Sequence, residues 1–191
     1  MGKIVVTAFV TLDGVIQAPG LPDEDRDGGF AHGGWTQPYG DTELERRITR
    51  NVIAADALLV GRRTYDLFAS FWPTADPDDP RTRKLNTQPK YVASHTLTEA
   101  SWDNTTVLDG DLVDSVIELK RRYDEISVWG SSTLIPPLLR HDLIDELLLL
   151  VYPIVLGTGK RLFPEGHQTT FNLVESATTG RGITMLGYRR P

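Results

Sequence analysis

The order of the predicted strands and helices is the feature that most constrains the fold of this chain. From the first residues to about residue 142, apolar or β-branched runs alternate with helical patterns. The runs are "KIVVTAFVTLDG", "ALLVG", "KYVAS", "TTVLD" and "ISVWG", and then "DELLLLVYPIVLG", "TTFNLVESATT" and "GITMLGYRR" follow with no convincing helix between them. Strands that alternate with helices are typical of parallel sheets, whereas strands that follow one another without a helix are typical of antiparallel pairing. We therefore predict an α/β fold, in which a mostly parallel sheet with helices on both faces ends in antiparallel C-terminal strands.

Four segments carry helical patterns. Asp41 or Thr42 begins the first, whose apolar positions have a 3.6-residue period: Leu44, Ile48, Val52 and Ala55. The others are "TYDLFASFW", "LVDSVIELKRRY" and "STLIPPLLRH", the last of which we expect to kink or restart at Pro136-Pro137. The segment "PTADPDDPRTRKLNTQP" is predicted to be a polar loop.

Residues 17–40 form a second predicted loop, rich in Gly, Pro and Asp and without periodicity. A loop of this length inside a compact domain is usually functional and often covers a site. The alternative is an unstructured surface insertion. Phe30, Trp35 and Tyr39 favour an ordered loop, because a fully solvated segment seldom carries three aromatic residues.

Length, charge and residue types exclude several classes of protein. The 191 residues suit one domain spanning residues 1–191, and the net charge of −6 argues against nucleic acid as a partner. The absence of cysteine excludes disulfides, thiolate nucleophiles and cysteine-based metal sites. His32, His95, His141 and His167 lack ligand spacing, so we expect no metal. The N-terminal apolar run is too short for a signal peptide or a membrane span, which predicts a cytoplasmic protein with no membrane partner.

Small and basic residues follow three of the predicted parallel strands. They are Gly61-Arg62-Arg63-Thr64, Ser94-His95 and Gly130-Ser131-Ser132. Ligands collect at the carboxyl ends of parallel strands, where small residues allow close approach and helix N-termini attract phosphates. An arginine there can bind a ribose 2′-phosphate, which favours NADPH over NADH. Singly, each residue has a plainer explanation, since Gly-Ser before a helix is commonly a cap and a lone Arg or His a surface residue. The G-x-G-x-x-G fingerprint is absent, and "GTGKR" fails the P-loop pattern.

Five motifs in register carry a resemblance to a known family: "VTLDGVIQ", "GRRTYDLF", "KYVAS", "VWGSSTLIPPLL" and "YPIVLGTGKRLF". Over nearly the whole chain, the sequence resembles dihydrofolate reductase-like domains related to the C-terminal reductase domain of the riboflavin-biosynthesis bifunctional deaminase-reductase. The resemblance implies an NADPH-dependent reductase with a sheet of about eight strands. The chain departs from that family in having no cysteine for a deaminase zinc site and in its long 17–40 loop.

The resemblance also implies roles for particular residues. Those expected to bind the cofactor are Gly61, Arg62, Arg63, Thr64, Ser94, His95, Gly130, Ser131, Ser132 and Leu134. Those expected to hold a substrate ribose phosphate are Gly157, Gly159 and Lys160. The sequence does not decide which of Arg62 and Arg63 would contact a 2′-phosphate.

Reduction of a C=N or C=O bond gains from a nearby proton donor. Glu45 and Asp13 are the catalytic candidates, because Glu45 lies in the first helix and Asp13 at the end of the first strand. Each has an alternative: Glu45 as a solvent-facing acid near a helix N-terminus, and Asp13 as half of an Asp-Gly turn.

We therefore expect an NADPH-dependent reductase of a small heterocyclic substrate, pyrimidine-like or pterin-like. The closest resemblance is to 5-amino-6-(5-phosphoribosylamino)uracil reductase. The alternatives are a nucleotide- or pterin-binding module that kept the fold without the chemistry, and a structural dimer without a ligand. We also expect a homodimer, in which part of "DELLLLVYPIVL" faces the twofold partner.

Overall fold

The computed structural model describes all 191 residues, Met1–Pro191. Its strands are β1 (Lys3–Thr11), β2 (Ala57–Gly61), β3 (Lys90–Ala93), β4 (Thr105–Leu108), β5 (Glu125–Trp129), β6 (Glu146–Tyr152), β7 (Asn172–Thr178) and β8 (Thr184–Arg189). Its α-helices are α1 (Thr42–Ala54), α2 (Arg62–Phe71), α3 (Pro80–Thr87), α4 (Leu112–Arg122) and α5 (Ile135–Arg140). Short 3₁₀ turns lie at Asp27–Gly29, Gln37–Tyr39 and Trp72–Thr74. None of the helices combines the length and the apolar character needed to cross a membrane.

The eight strands form one sheet in the order β4-β3-β2-β5-β1-β6-β8-β7. All pairs from β4 across to β6 are parallel, and β8 pairs antiparallel with both β6 and β7. The predicted fold class is confirmed. The carboxyl ends of β1, β2, β3 and β5 therefore lie along one edge of the sheet.

The helices divide between the two faces of the sheet, as the alternation of side chains along β6 shows. Leu147 and Leu149 belong to a buried cluster with residues of α4 and α5, whereas Leu148 and Leu150 pack with the 17–40 loop and α1. Since successive side chains of a strand point to opposite faces, α4 and α5 cover one face. The loop and α1 cover the other face, together with α2 and α3.

The 17–40 loop is ordered, as its aromatic residues predicted. Phe30 and Trp35 are buried, and the Trp35 indole donates a hydrogen bond of 2.8 Å to the carbonyl of Gln17. The rings of Trp35 and Tyr39 pack edge-on against Tyr152 of β6, with centroid distances of 5.2 and 5.5 Å. Burial of these rings anchors the loop to the sheet.

Two helices differ from the sequence-based expectation. The polar segment before β3 contains α3, in which Asp79 caps the N-terminus by accepting a 2.7 Å bond from the Arg81 N–H and Pro80 occupies the first turn. In α5 the two prolines do not kink a longer helix. They lie in the first turn of a six-residue helix, where a missing N–H costs no intrahelical bond.

The segment expected to face a partner is an interior strand. β6 lies between β1 and β8, and Leu147 to Leu150 are all buried by this chain itself. The exposed apolar residues of the sheet are instead Leu173 and Val174 on the edge strand β7. The homodimer remains a prediction, but "DELLLLVYPIVL" owes its apolar character to the core.

Candidate functional site

A cleft that is open to solvent lies at the carboxyl ends of β1, β2 and β5. Its lining comes from the end of β1, the start of the 17–40 loop, the first half of α2 and the turn after β5. We refer to it as the first cleft. Its position agrees with the rule that ligands of open α/β sheets bind beyond the carboxyl ends of the strands.

Two of the three strand ends singled out in the sequence meet in this cleft. Ser131, after β5, accepts a hydrogen bond of 2.7 Å from the Gly61 N–H at the end of β2. Its hydroxyl also lies 3.1 Å from that of Thr64 in the first turn of α2. The turns at 61–64 and 130–132 are therefore neighbours on the same rim of the sheet.

Backbone N–H groups without acceptors line the junction of these two turns. No side chain caps α2, so the first-turn N–H groups of Arg63 and Thr64 lack partners, whereas that of Arg62 continues the β2–β3 ladder. The N–H groups of residues 130–133 also donate no hydrogen bond within the protein. N–H groups that converge in this way, beside the positive end of a helix dipole, can bind a phosphate.

Glycine is required where the two turns approach each other. A Cβ atom on Gly61 would lie 2.8 Å from the Ser131 hydroxyl oxygen. Gly130 has φ of 57° and Ser131 of 65°, a left-handed pair that turns the chain sharply after β5. The small residues at these ends thus serve a backbone contact and not only a helix cap.

A second cleft continues from the first along the same rim. It contains Ser94 and His95 after β3 together with Leu134, and it shares Gly61 and Thr133 with the first cleft. The Ser94 hydroxyl accepts bonds of 3.2 and 3.1 Å from the N–H groups of Thr96 and Leu97, which fixes this turn. The third predicted strand end therefore lies where an extended ligand leaving the first cleft would reach it.

The two arginines at the start of α2 have different partners. Arg62 donates through Nε to both Asp66 carboxylate oxygens at 2.9 and 2.8 Å and, more weakly, through Nη1 to the Thr96 hydroxyl at 3.4 Å. Arg63 is held by two carboxylates of the 17–40 loop, with distances of 2.7 Å to Asp25 and 3.0 Å to Asp27. The side chains of Arg62 and Arg63 are 41% and 50% exposed, so neither guanidinium is buried against its acid.

Four charged side chains form what we term the loop cluster: Asp25, Asp27, Arg63 and Lys160. The Lys160 ammonium lies 2.7 Å from an oxygen of each aspartate. Burial raises the pKa of the Asp25 carboxyl, but the hydrogen bond from Lys160 and the nearby cations outweigh it, so the net pKa lies below its ordinary value. The same two cations, Lys160 first, lower the pKa of Asp27. The cluster ties the loop to α2 and to the segment after β6.

The rest of the first cleft is mainly apolar and contains one further carboxyl group. Phe9, Phe68 and Trp129 line it, and the buried indole Nε1 of Trp129 has no hydrogen-bond partner in the protein. Glu24 also lines it. Burial raises the pKa of Glu24, partly opposed by hydrogen bonds that its Oε2 accepts from the N–H groups of Gly20 and Leu21.

The two predicted catalytic acids do not line either cleft. The Asp13 carboxylate accepts bonds from the Thr11 hydroxyl at 2.6 Å and from the N–H groups of Leu156 and Gly157 at 3.2 and 2.8 Å. The Thr11 bond is the main reason that the pKa of Asp13 lies below its ordinary value. Glu45 faces away on α1, where it pairs with Arg81 of α3 at 2.5 Å. Both carboxylates hold neighbouring segments together.

The predicted phosphate-binding residues of the segment after β6 also lie outside the two clefts. The N–H of Gly157 is bonded to Asp13, and the N–H of Lys160 donates to the Gln17 side-chain oxygen at 3.0 Å. A Cβ atom on Gly159 would lie 2.7 Å from Val15 and 2.8 Å from Phe30. Gly157, Gly159 and Lys160 are therefore placed to support the 17–40 loop.

Several residues of the first cleft were not predicted from the sequence, among them Gln17, Glu24, Asp25 and Thr133. The only signal for the first three was their place in the long loop. Thr133 directly follows the predicted Gly-Ser-Ser turn, so extending that motif by one residue would have included it.

The sequence is similar to known proteins over nearly its whole length. Residues 2–185 match the family model of the RibD C-terminal domain. The uncharacterized protein YyaP of Bacillus subtilis (strain 168) is 29% identical over 196 residues, which cover 97% of this chain and 94% of YyaP.

Solved structures show the same fold. A protein assigned to riboflavin biosynthesis from Shewanella sp. PV-4 superposes with a TM-score of 0.76 at 26% identity, covering 99% of both chains. A pyrimidine reductase-like protein from Corynebacterium diphtheriae has a TM-score of 0.63 at 14% identity, covering 98% of this chain and 91% of its own. The diaminohydroxyphosphoribosylaminopyrimidine deaminase/5-amino-6-(5-phosphoribosylamino)uracil reductase of Thermotoga maritima has a TM-score of 0.67 at 16% identity. The superposed region covers all of this chain and 57% of the Thermotoga maritima chain.

Proposed function

Because the chain belongs to the RibD C-terminal domain family, we propose that it is an NADPH-dependent reductase that transfers a hydride to a small heterocyclic substrate. The observation that carries the proposal is the meeting of the turns at 61–64 and 130–133, where the N–H groups of Arg63, Thr64 and residues 130–133 have no acceptors in the protein. These turns join the first and second clefts. An elongated dinucleotide with a central pyrophosphate suits such a site.

The residues present fit NADPH in three respects. Gly61 and Gly130 allow the two turns to approach each other closely, and the N–H groups beside them supply donors for a pyrophosphate. The apolar wall of Phe9 and Trp129 suits an aromatic ring and excludes water from it. NADPH bound there would supply the hydride, and the chain would supply orientation and a dry surface.

Arg62 is the better candidate for the 2′-phosphate. Its ion pair with Asp66 is exposed and links positions i and i+4 of one helix, an arrangement typically worth only about 0.3–0.5 kcal/mol. A phosphate can therefore displace it. Arg62 also reaches Thr96, next to Ser94 and His95 in the second cleft. Arg63 is committed to two aspartates and would have to leave the loop cluster to reach a ligand.

Fluorescence titration with NADPH and NADH tests the cofactor. We expect NADPH to bind at least about tenfold more tightly, a difference of about 1.4 kcal/mol, and this preference to weaken at high salt and to be lost in Arg62→Ala. Arg121→Ala is the matched control, since Arg121 is an exposed arginine paired with Glu118 on α4, away from both clefts. Equal affinity for the two nucleotides in the unmodified protein, or loss of the preference in Arg121→Ala, would contradict the proposal.

One observation favours a second candidate, a nucleotide-binding module without catalysis. Neither Asp13 nor Glu45 faces the clefts, so the expected proton donors are committed elsewhere. An assay that follows the oxidation of NADPH by its absorbance, with pyrimidine and pterin substrates, separates the two functions. NADPH binding without oxidation by any of them would favour the binding module.

A further inference from the structure

We propose that the second ligand of the first cleft is an unphosphorylated nitrogen heterocycle bearing N–H donors, and that Glu24 selects it. This inference rests on the proposed function, because it assigns the substrate class of the same cleft. It departs from the ribose phosphate expected from the family resemblance.

The two cations beside the loop are already neutralised. Lys160 lies 2.7 Å from both Asp25 and Asp27, and Arg63 contacts the same two carboxylates at 2.7 and 3.0 Å. Two positive and two negative groups thus cancel within the loop cluster. A phosphate entering here would have to replace carboxylates, one of which, Asp25, is buried and fixed by the loop.

The backbone after β6 offers no phosphate cradle within either cleft. The N–H groups of Leu156 and Gly157 both donate to the Asp13 carboxylate, and that of Lys160 donates to Gln17. Val15 and Phe30 occupy the space beside Gly159. The N–H groups of Thr158, Gly159 and Arg161 also lack acceptors in the protein, but these residues line neither cleft. The unpaired N–H groups at the junction of the clefts are those of Arg63, Thr64 and residues 130–133, which the cofactor pyrophosphate would use.

On the loop side of the first cleft, the charged group that is not part of the loop cluster is a carboxyl group, that of Glu24. Glu24 lines the cleft, its Oε2 is bonded to Gly20 and Leu21, and its Oε1 accepts no hydrogen bond within the protein. A carboxylate oxygen beside the aromatic wall of Phe9, Phe68 and Trp129 is complementary to a flat ring that presents N–H groups. It repels a phosphate. The cleft therefore selects by charge for the base and against its phosphate ester.

Calorimetric titration of the protein saturated with NADP⁺ tests this selection. The probes are 2,4-diaminopyrimidine and the pair cytidine and cytidine 5′-monophosphate, which differ only in the phosphate. We expect diaminopyrimidine to bind saturably and cytidine to bind at least about fivefold more tightly than its phosphate, since like-charge contacts oppose binding. Glu24→Gln should weaken diaminopyrimidine binding about tenfold, because the amide keeps the loop hydrogen bonds but loses the charge.

Asp27→Asn provides a gain-of-binding test. It removes one of the two negative charges that neutralise Lys160 and Arg63, so cytidine 5′-monophosphate should gain affinity relative to cytidine. Asp23→Asn is the matched control, since Asp23 lies on the same loop but pairs only with Arg26. Glu43→Gln, an exposed acid of α1, is the control for Glu24→Gln.

The outcomes separate this proposal from the proposed function. If NADPH binds but no amino heterocycle does, or if the phosphate strengthens binding to the unmodified protein, the substrate class is wrong and the cofactor site stands. The same follows if Glu24→Gln leaves diaminopyrimidine binding unchanged. If neither NADPH nor NADP⁺ binds, the proposed function fails first and this inference fails with it.

Discussion

Ser131 is the residue on which the geometry of the candidate site most depends. It adopts a left-handed conformation. Its hydroxyl connects the turn after β5 to Gly61 at the end of β2 and to Thr64 in the first turn of α2. The sequence predicted that Ser131 lies at a ligand-binding strand end. It could not show that this hydroxyl would bond to the backbone of another strand, since that depends on β2 and β5 being neighbours.

Ser131→Ala should destabilise the protein more than Ser132→Ala. The first substitution leaves the buried N–H of Gly61 without its acceptor, which typically costs about 1–3 kcal/mol. The Ser132 hydroxyl makes no hydrogen bond in the protein, so its loss should stay within about 0.5 kcal/mol. Urea unfolding of both variants measures the difference. Equal stabilities would show that the contact between Ser131 and Gly61 does not hold the two turns together.

Glu45 shows why a single side chain is hard to assign from sequence. The sequence placed it on α1, and the structure agrees. Its partner Arg81 belongs to α3, a helix that the polar composition of its segment concealed. Without α3, Glu45 remained free to serve a site, and with α3 its carboxylate is committed. The partner of Glu45 could not be foreseen because the element that carries it was missed.

At the scale of elements, the 17–40 loop is held by two different kinds of interaction. Its aromatic residues Phe30 and Trp35 bury apolar surface against the sheet. Its aspartates Asp25 and Asp27 join it to α2 and to the segment after β6 through Arg63 and Lys160. The aromatic anchor could be predicted from the sequence because burial of large apolar side chains is general. The ionic contacts could not, because they join residues far apart in the sequence: 36 positions for Arg63 and Asp27, and more than a hundred for Lys160 and either aspartate.

The ionic contacts make loop stability depend on pH in the acid range. The folded pKa of Asp25 is lowered, so its stabilising contribution is complete above the unfolded pKa of about 4 and is lost as the pH falls through the lower folded value. The unfolding free energies of the unmodified protein and Asp25→Asn should therefore differ by a constant amount from pH 7 to about pH 5. The gap should close below about pH 4.

Urea unfolding at a series of pH values measures this gap. Asp23→Asn, which changes an exposed aspartate of the same loop paired only with Arg26, should show little difference at any pH. A gap for Asp25→Asn that widens as the pH falls would contradict the account of the loop cluster.

At the scale of the whole molecule, the alternation of strands and helices was sufficient to predict the sheet. Every predicted strand is present, and the change from parallel to antiparallel pairing falls after β6, where helical patterns end. The hydrophobic period and the turn residues of each segment are enough to indicate whether that segment is a strand or a helix. The strand order, which places β5 between β1 and β2, is set by packing across the sheet, and it is what brings residues 61–64 against 130–133.

The same order explains how one rim can accept an extended ligand. β1, β2, β3 and β5 all end there, and each contributes a turn to one of two adjoining clefts. A dinucleotide needs such a series of turns, because its two halves and its pyrophosphate bind at different strand ends. The central claim is therefore geometric: the pyrophosphate binds between α2 and the turn after β5.

A crystal structure of the protein with bound NADP⁺ tests that claim most directly. We expect pyrophosphate oxygens about 3 Å from backbone nitrogens of residues 63, 64 and 130–133, with the 2′-phosphate at Arg62 and the turn of Ser94 and His95. A pyrophosphate bound anywhere else on the chain, with the turns at 61–64 and 130–133 left free, would contradict it.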